Sequence, residues 1–280
     1  MAVVLHYRFW PAVRETLDAL LEQLPPDMIV IVDNASLDGS SAEIRKSYPE
    51  CRLVEADQNR GYGAGMNLGV RYTSGDVLLL THECLLSPGT VATLEHRFAE
   101  HPDVGIAGPV LMDGRQADVV FSAGGIFDSR MRQFHRHVPE PLSDDVGATS
   151  IGPAWLDGSC LLIRRAVLDR RRFDEGYFLY FEDTEFCVRA GQDGWRIECV
   201  PGALAHQAPG VGGRAVALWT RNRLRFVWRN ARRHFAREFA RTTYWGLRSI
   251  HSRSGQLVLR GIASFVTRED PERLYGLRPH

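Results

Sequence analysis

Lysine is almost missing from this 280-residue sequence: of 34 basic residues only Lys46 is not an arginine. Net charge is missing too, since 34 acids balance the 34 bases, and that excludes a protein coated uniformly for nucleic acid. Cysteines are few and scattered (Cys51, Cys84, Cys160, Cys187 and Cys199), with no CxxC pair and no Cys/His cluster at zinc spacing. An odd set of this kind, with no signal-peptide pattern ahead of it, predicts a reducing, cytoplasmic setting rather than a disulfide framework. Long hydrophobic runs are absent: stretches such as Val77–Leu80 fall far short of the roughly 20 residues that cross a bilayer. There is no internal repeat and no low-complexity tract. Hydrophobic residues at 44% and charged ones at 24% are globular values, which exclude wholesale disorder and a collagen-like chain. The length suits one large domain or two small ones.

What is present is unevenly spread. Arg214–Arg260 holds twelve arginines and one acid, Glu238, which leaves 22 bases and 33 acids elsewhere. The neutral chain is an acidic body carrying a basic C-terminal segment, an asymmetry that points to an anionic partner or surface.

The first hundred residues alternate strand and helix patterns. Val3–Tyr7, Met28–Val32, Arg52–Glu55, Val77–Leu80 and Val104–Gly108 read as strands. Between them lie a helix opened by Pro11 and carrying Val13, Leu17, Leu20, Leu21 and Leu24 on one stripe, and a helix from Ser40 to Tyr48. Ser40 and Glu43 are spaced as a capping box there. Further helices are expected over Met66–Tyr72 and Pro88–Glu100. This alternation predicts a mostly parallel sheet with helices on both faces. The stretch from about 110 to 150 is rich in turns and reads as a loop-rich insertion or lid. Beyond it, Leu161–Ile163 and Arg196–Val200 read as strands, the second stopped by Pro201, with a helix over Glu182–Gln192 between them. A helical pattern runs from Val216 to Ile250.

In an open parallel sheet ligands bind beyond the carboxyl ends of the strands. The polar residues at those ends are Asp33, Asn34 and Asp38; Thr81, His82 and Glu83; Asp157; and His206. The glycine stretch Asn59–Asn67 invites a dinucleotide-binding reading, but Met66 stands where G-x-G-x-x-G needs a small residue. Two readings of it stay open: a turn packed close to a strand, or a loop whose backbone approaches a nucleotide or sugar.

Five segments together resemble the inverting glycosyltransferases of family 2, which have the nucleotide-sugar-binding GT-A fold. They are IVIVDNASLDGS (Ile29–Ser40), NRGYGAGMNLG (Asn59–Gly69), GDVLLLTHECLLSP (Gly75–Pro88), WLDGSCLLIRR (Trp155–Arg165) and the long block FDEGYFLYFEDTEFCVRAGQDGWRIECVPGALAH (Phe173–His206). The resemblance covers roughly residues 2–230 and is most similar to bacterial rhamnosyltransferase-type members. It implies a GT-A catalytic domain over 1–212, with a nucleotide-binding half to about residue 108 and an acceptor and catalytic half over 109–212. A basic, mainly helical segment over 213–280 follows.

By that resemblance, Asp33, Asn34 and Asp38 sit against the pyrimidine and ribose of the donor, with Tyr7, Arg60, Gly61 and Asn67 also on the donor side. Trp155 and Asp157 line the sugar or acceptor pocket. Asp183, in the Glu182-Asp183 pair, matches the catalytic base. Glu83 stands in the place of the family's metal-binding aspartate, and His206 matches a histidine that ligands metal or contacts the diphosphate. Arg221, in Arg221-Asn222-Arg223, resembles an R-N-R element whose cations reach a phosphate. The implied cofactor is Mn²⁺ or Mg²⁺. The longer Glu83 carboxylate in the aspartate's place puts that metal in question.

The chemistry needs these residue types. A nucleoside diphosphate leaving group accumulates negative charge that a cation must stabilise. An acceptor hydroxyl needs a carboxylate to take its proton as it attacks. The implied reaction is a single displacement, with inversion, from a dTDP- or UDP-sugar, dTDP-rhamnose among them. The acceptor is the hydroxyl of a glycan, a lipid-linked glycan or a small molecule. The alternative is a glycosyltransferase-fold binding protein that is non-catalytic or metal-independent. The basic segment has two functional readings besides packing on the acidic body: phosphate binding, or an amphipathic surface for anionic lipid, which would make the chain peripheral on the inner face of the membrane. With an acidic body and no recognition motif, nucleic acid is not an expected partner.

Overall fold

The computed structural model describes residues 1–116, 119–128, 132–135, 154–207 and 215–275. Four parallel strands form its first half in the order β3-β2-β1-β4: β1 (Ala2–His6), β2 (Ile29–Asp33), β3 (Arg52–Glu55) and β4 (Val77–Thr81). Helices α1 (Trp10–Leu21), α2 (Ser40–Ser47) and α3 (Gly61–Val70) make the crossovers. β5 (Cys84–Leu86) and α4 (Thr90–Glu100) lead to β6 (Val104–Asp113), against which β7 (Val120–Ser122) folds back. β8 (Gly125–Phe127) and β9 (Gln133–His135) pair as a separate two-stranded ribbon. β10 (Cys160–Ile163) inserts antiparallel between β4 and β6, while β11 (Arg196–Gln207) runs parallel to β6 and carries β5 on its outer edge. The sheet is therefore mixed, parallel in its first half as expected and antiparallel at β5, β7 and β10.

Alternate strand residues enter two separate cores, which is why these strands read as unbroken apolar runs. Val4, Ile29, Ile31, Leu78 and Leu80 pack with Leu17 of α1, Ile44 of α2 and Leu94 of α4. Val3, Leu5, Val30, Val32 and Leu79 pack with Met66 of α3, Val167 of α5 (Arg165–Arg170) and Phe186 of α6 (Glu182–Gln192).

Four local expectations change. The glycine stretch is the first turn of α3, which starts at Gly61 rather than Met66. A Cβ on Gly65 or Gly69 would overlap Leu5, Val3 or Val32, so these glycines let the helix lie on β1 and β2. Ser40 does not cap α2: Gly39 takes the N-cap position in the left-handed region, and the Ser40 hydroxyl bonds Asp38 and His6 instead. Pro201 does not end its strand; the Pro201–Ala203 segment bulges out, and pairing with β6 resumes at Leu204 and reaches Gln207. The helical pattern over 216–250 breaks at Ala231 into α7 (Ala215–Asn230) and α8 (Arg232–Arg248). Two more helices follow, α9 (Arg253–Thr267) and α10 (Pro271–Tyr275). Of the stretch expected to be loop-rich, the described parts include the end of β6 and strands β7, β8 and β9, and residues 136–153 lie outside the described ones.

Helices α7, α8 and α9 share an apolar seam of Leu224, Val258 and Ile262, with Phe235 and Phe265 against it. Across α7 and α8, buried Arg223 bonds buried Glu238 at 2.8 Å, and Arg241 meets the same carboxylate at 2.8 Å. The five cysteines are free.

Candidate active site

The polar residues gather where β1, β2, β4 and β11 end and the antiparallel β10 begins. The turn after β2 is built from its own carboxylates. Asp33 Oδ1 accepts from the backbone N (3.1 Å) and hydroxyl of Ser36, and its Oδ2 accepts from the Ser41 hydroxyl. Asp38 accepts from Ser40 N and from Phe9 N, both at 3.1 Å, and Ser36 in turn bonds Arg8 N. Arg8, packed over the Tyr7 ring, and Phe9 lie in the left-handed region, so the ends of β1 and β2 form one interlocked rim.

Asn34 carries that rim to the next loop, donating to Asn59 Oδ1 (3.0 Å) and Gly61 O (3.1 Å). Gly61 has φ +87°, and a Cβ there would overlap the backbone carbonyl of Phe178. Its neighbour Tyr62 donates from N to that same carbonyl at 2.8 Å and from its hydroxyl to Gly158 O at 2.6 Å. The loop after β2, the start of α3 and the segment ahead of α6 are thus bonded directly to one another.

Asp183 stands at the second position of α6. Its Oδ2 accepts from Gly158 N (2.9 Å) and its Oδ1 from Thr184 N (2.6 Å), and it keeps some contact with solvent. Burial, and then the charge of Asp157, push its carboxyl up to about 6, against the hydrogen bonds that favour ionisation. Glu182 beside it is buried, its Oε2 meets no donor among the described residues, and burial pushes its carboxyl well above the usual range. The two adjacent carboxyls therefore differ: one is open to water and ionises near neutrality, the other is held neutral more readily.

The approach to this helix is strained. Phe178, Tyr180 and Phe181 have φ of 66°, 70° and 73°. Each non-glycine residue so placed costs roughly 1–3 kcal/mol and persists only where its surroundings over-determine it.

Asp157 leads into β10 and accepts from Ser122 Oγ at 2.5 Å. His135 on β9 lies 3.8 Å from Asp157 and stacks edge-on against the buried Trp155 ring. Gln133, on the same strand, donates to Thr184 Oγ1 at 2.8 Å. Sequence reasoning missed Ser122, Gln133 and His135, which sit on three-residue strands inside the turn-rich stretch.

On the other side of β4, Glu83 is exposed between His82 and β5, and the register of β11 places His206 opposite Leu85. Gln207 bonds the Ser159 hydroxyl, which ties this edge to the Asp157 loop. No group of three His, Cys, Asp or Glu residues that would hold a metal by itself occurs among the described residues. Glu83, just ahead of β5, and His206, on the strand that pairs with β5, bring a carboxylate and an imidazole to one edge of the sheet, and these would be the residues to hold a divalent cation.

Two expected donor-side residues bond other parts of the chain. Asn67 bonds Phe173 at both N and O (3.1 and 3.0 Å). Arg221 is buried on α7 and donates to Gly176 O at 3.0 Å, and burial lowers its guanidinium to about 10. Arg60 pairs with Glu175 at 3.0 Å and remains half-exposed.

A half-parallel sheet with an antiparallel insertion, and carboxylates gathered beyond its strand ends, define the GT-A class of glycosyltransferase. Residues 2–170 match the glycosyl transferase family 2 model, and the chain belongs to that family. It is a glycosyltransferase. It is 29% identical over 218 residues to the N-acetylglucosaminyl-diphospho-decaprenol L-rhamnosyltransferase of Mycobacterium tuberculosis, covering 67% of this chain and 69% of that one. In fold it is similar to a mannosyltransferase from Pyrobaculum calidifontis solved with GDP-Man and Mn²⁺, with TM-score 0.62, 17% identity and coverage of 96% and 87% of the two chains. It is also similar to residues 1–349 of S. aureus TarS solved with UDP-GlcNAc, with TM-score 0.60, 17% identity and coverage of 98% and 82%.

Proposed function

We propose that the chain transfers a sugar from a nucleoside diphosphate donor to a hydroxyl acceptor by single displacement with inversion, Asp183 acting as the general base. The observation that carries this reading is Asp183 itself: a carboxylate held by Gly158 N, next to Asp157, still open to water and ionising near neutrality. The acceptor oxygen bonds to the anomeric carbon, its proton passes to Asp183, and the bond from that carbon to the diphosphate breaks on the opposite face. The rim made by Asp33, Asn34 and Asp38 receives the nucleoside, and Trp155 and Asp157 bound the sugar and acceptor side. Glu83 and His206 would hold a divalent cation, which when bound neutralises charge on the leaving diphosphate. Likeness to the rhamnosyltransferase favours dTDP-rhamnose as donor and a lipid-linked diphosphate glycan as acceptor.

A thermal-shift screen of UDP, dTDP and GDP, each with and without Mn²⁺, tests the reading. A shift with one nucleotide that grows with Mn²⁺ is expected, followed by release of nucleoside diphosphate from the matching sugar donor. A chain that binds the nucleotide and never releases it from any donor is the non-catalytic alternative.

A second part of the proposal concerns location. No helix of the described residues is long and apolar enough to cross a membrane. On the outward side of α8, Arg233, Arg237, Tyr244 and Arg248 are exposed at helical spacing beside Trp245 and Leu247. The three arginines meet no carboxylate among the described residues, and arginine interleaved with exposed aromatic residues suits a helix lying on anionic lipid. Flotation should recover the protein on vesicles containing phosphatidylglycerol, less so in 0.5 M salt, and not on phosphatidylcholine alone. Equal recovery on both refutes the contact.

A further inference from the structure

Between the single 3₁₀ turn Glu175–Tyr177 and the start of α6 the chain has no sheet or helix partner, yet every carbonyl from Gly176 to Phe181 has a donor. Gly176 O accepts from Arg221 Nη1 (3.0 Å), Phe178 O from Tyr62 N (2.8 Å) and Phe181 O from Glu185 N (2.8 Å). The other three, on Tyr177, Leu179 and Tyr180, share the two N–H donors of one group, the Asn222 side-chain amide, at 2.8, 2.8 and 3.0 Å, and Tyr177 O accepts also from Leu179 N at 2.9 Å. Asn222 is fully buried on α7, and its Oδ1 is held by Arg221 Nη1 at 2.7 Å, which fixes which way the amide faces. One helical turn further, Arg225 bonds Asp174 at 2.8 Å, and Arg229 reaches Asp174 (3.1 Å) and Glu185 (3.3 Å). Phe178, Tyr180 and Phe181 keep left-handed backbones that their side chains disfavour, and such a turn keeps its shape only while something outside it holds it.

We infer that Asn222 is a positioning residue for the transfer reaction: from α7 it gathers the carbonyls of Tyr177, Leu179 and Tyr180 and so fixes the entry of α6, which sets Asp183 against Gly158 and Asp157. The inference rests on the reading of Asp183 as base. Asn222 touches neither substrate nor Asp183 and acts only through the turn. Leucine has the branching and heavy-atom count of asparagine, with bulkier methyl groups and none of its donors, so Asn222→Leu removes the bonds while keeping the site filled.

With the donor selected by the thermal-shift screen, release of nucleoside diphosphate by Asn222→Leu should show kcat reduced at least 30-fold. The donor KM and the nucleotide thermal shift should stay within threefold and 1 °C of wild type, because Asp33 and Asn34 bind elsewhere. The acid limb of kcat should move by half a pH unit or more toward the ordinary carboxylate value as Asp183 leaves its pocket. Independently of activity, amide exchange of the peptide covering 174–186 should quicken at least tenfold, with β1–β4 peptides unchanged. If Asn222→Leu does not fold, Asn222→Ser, which keeps one donor, is read in the same way with smaller changes in the same direction. Unchanged exchange in 174–186 overturns the inference, as does kcat within threefold of wild type or a parallel loss of kcat and nucleotide binding. Asp183→Asn run alongside separates the two ideas: if that variant turns over like wild type, the base assignment has failed, while the exchange result still judges the clamp.

Discussion

Asp183→Asn is expected to lower turnover by about 10²–10⁴-fold, the usual contribution of a general base, while nucleotide binding is retained. The pH profile gives the sharper reading. As the proposed base Asp183 works only as a carboxylate, so kcat should rise with pH through a limb centred near 6. Burial is the main cause of that value and the charge of Asp157 the next, so Asp157→Asn removes a repulsion and should move the limb to lower pH. A limb that stays in place would remove Asp157 from the electrostatics of the base. The sign for stability is opposite to that for activity. A carboxyl raised from 3.8 to about 6 favours the folded state fully below 3.8, and that contribution is lost as pH rises through about 6. The enzyme is therefore active where this one group opposes folding, and Asp183→Asn relieves that opposition at pH 8.

Gly61→Ala should destabilise the chain by about 2–5 kcal/mol, combining a left-handed backbone with overpacking. The methyl group would occupy the place of the Phe178 carbonyl, so helix and turn must separate and the Tyr62 N to Phe178 O bond is lost. Urea unfolding should show the midpoint falling with little change in slope, and turnover should fall with it because the displaced turn leads into Asp183. Gly191→Ala, in α6 with nothing within 4 Å of the added atom, is the control. It should be neutral or stabilise by up to about 1 kcal/mol. Equal effects at the two glycines would sink the argument from close approach.

Much of this geometry is written in residue order. Strands buried on both faces produce the unbroken Ile29–Val32 and Val77–Leu80 runs, and Asp33, Asn34 and Asp157 stand at the ends such a sheet exposes. What local pattern could not supply was the partner of each polar group. Asn67 reads as a donor-side residue, yet it bonds Phe173, more than a hundred positions later. Arg221-Asn222-Arg223 reads as a phosphate-binding run, and nothing local shows that Arg221 bonds Gly176, Asn222 the 177–180 turn and Arg223 Glu238. Proline ordinarily ends a strand, and Pro201 does not because its segment bulges between two paired stretches. His135 and Ser122 were hidden because three-residue strands leave no period to detect.

The Asn222 bonds to the 177–180 turn span more than forty residues of chain, and this bears on how the protein is made. A ribosome releases the sheet first: every strand through β11 has been synthesised by Gln207, before any of α7. Until Asn222 emerges, the turn ahead of Asp183 lacks the amide that three of its carbonyls share, although Tyr177 O is also bonded from within the turn by Leu179 N. A nascent chain can therefore assemble the rim at Asp33 and Asn34 well before the entry of α6 is set, and with Asp183 as the proposed base the competence to transfer sugar arrives late in translation.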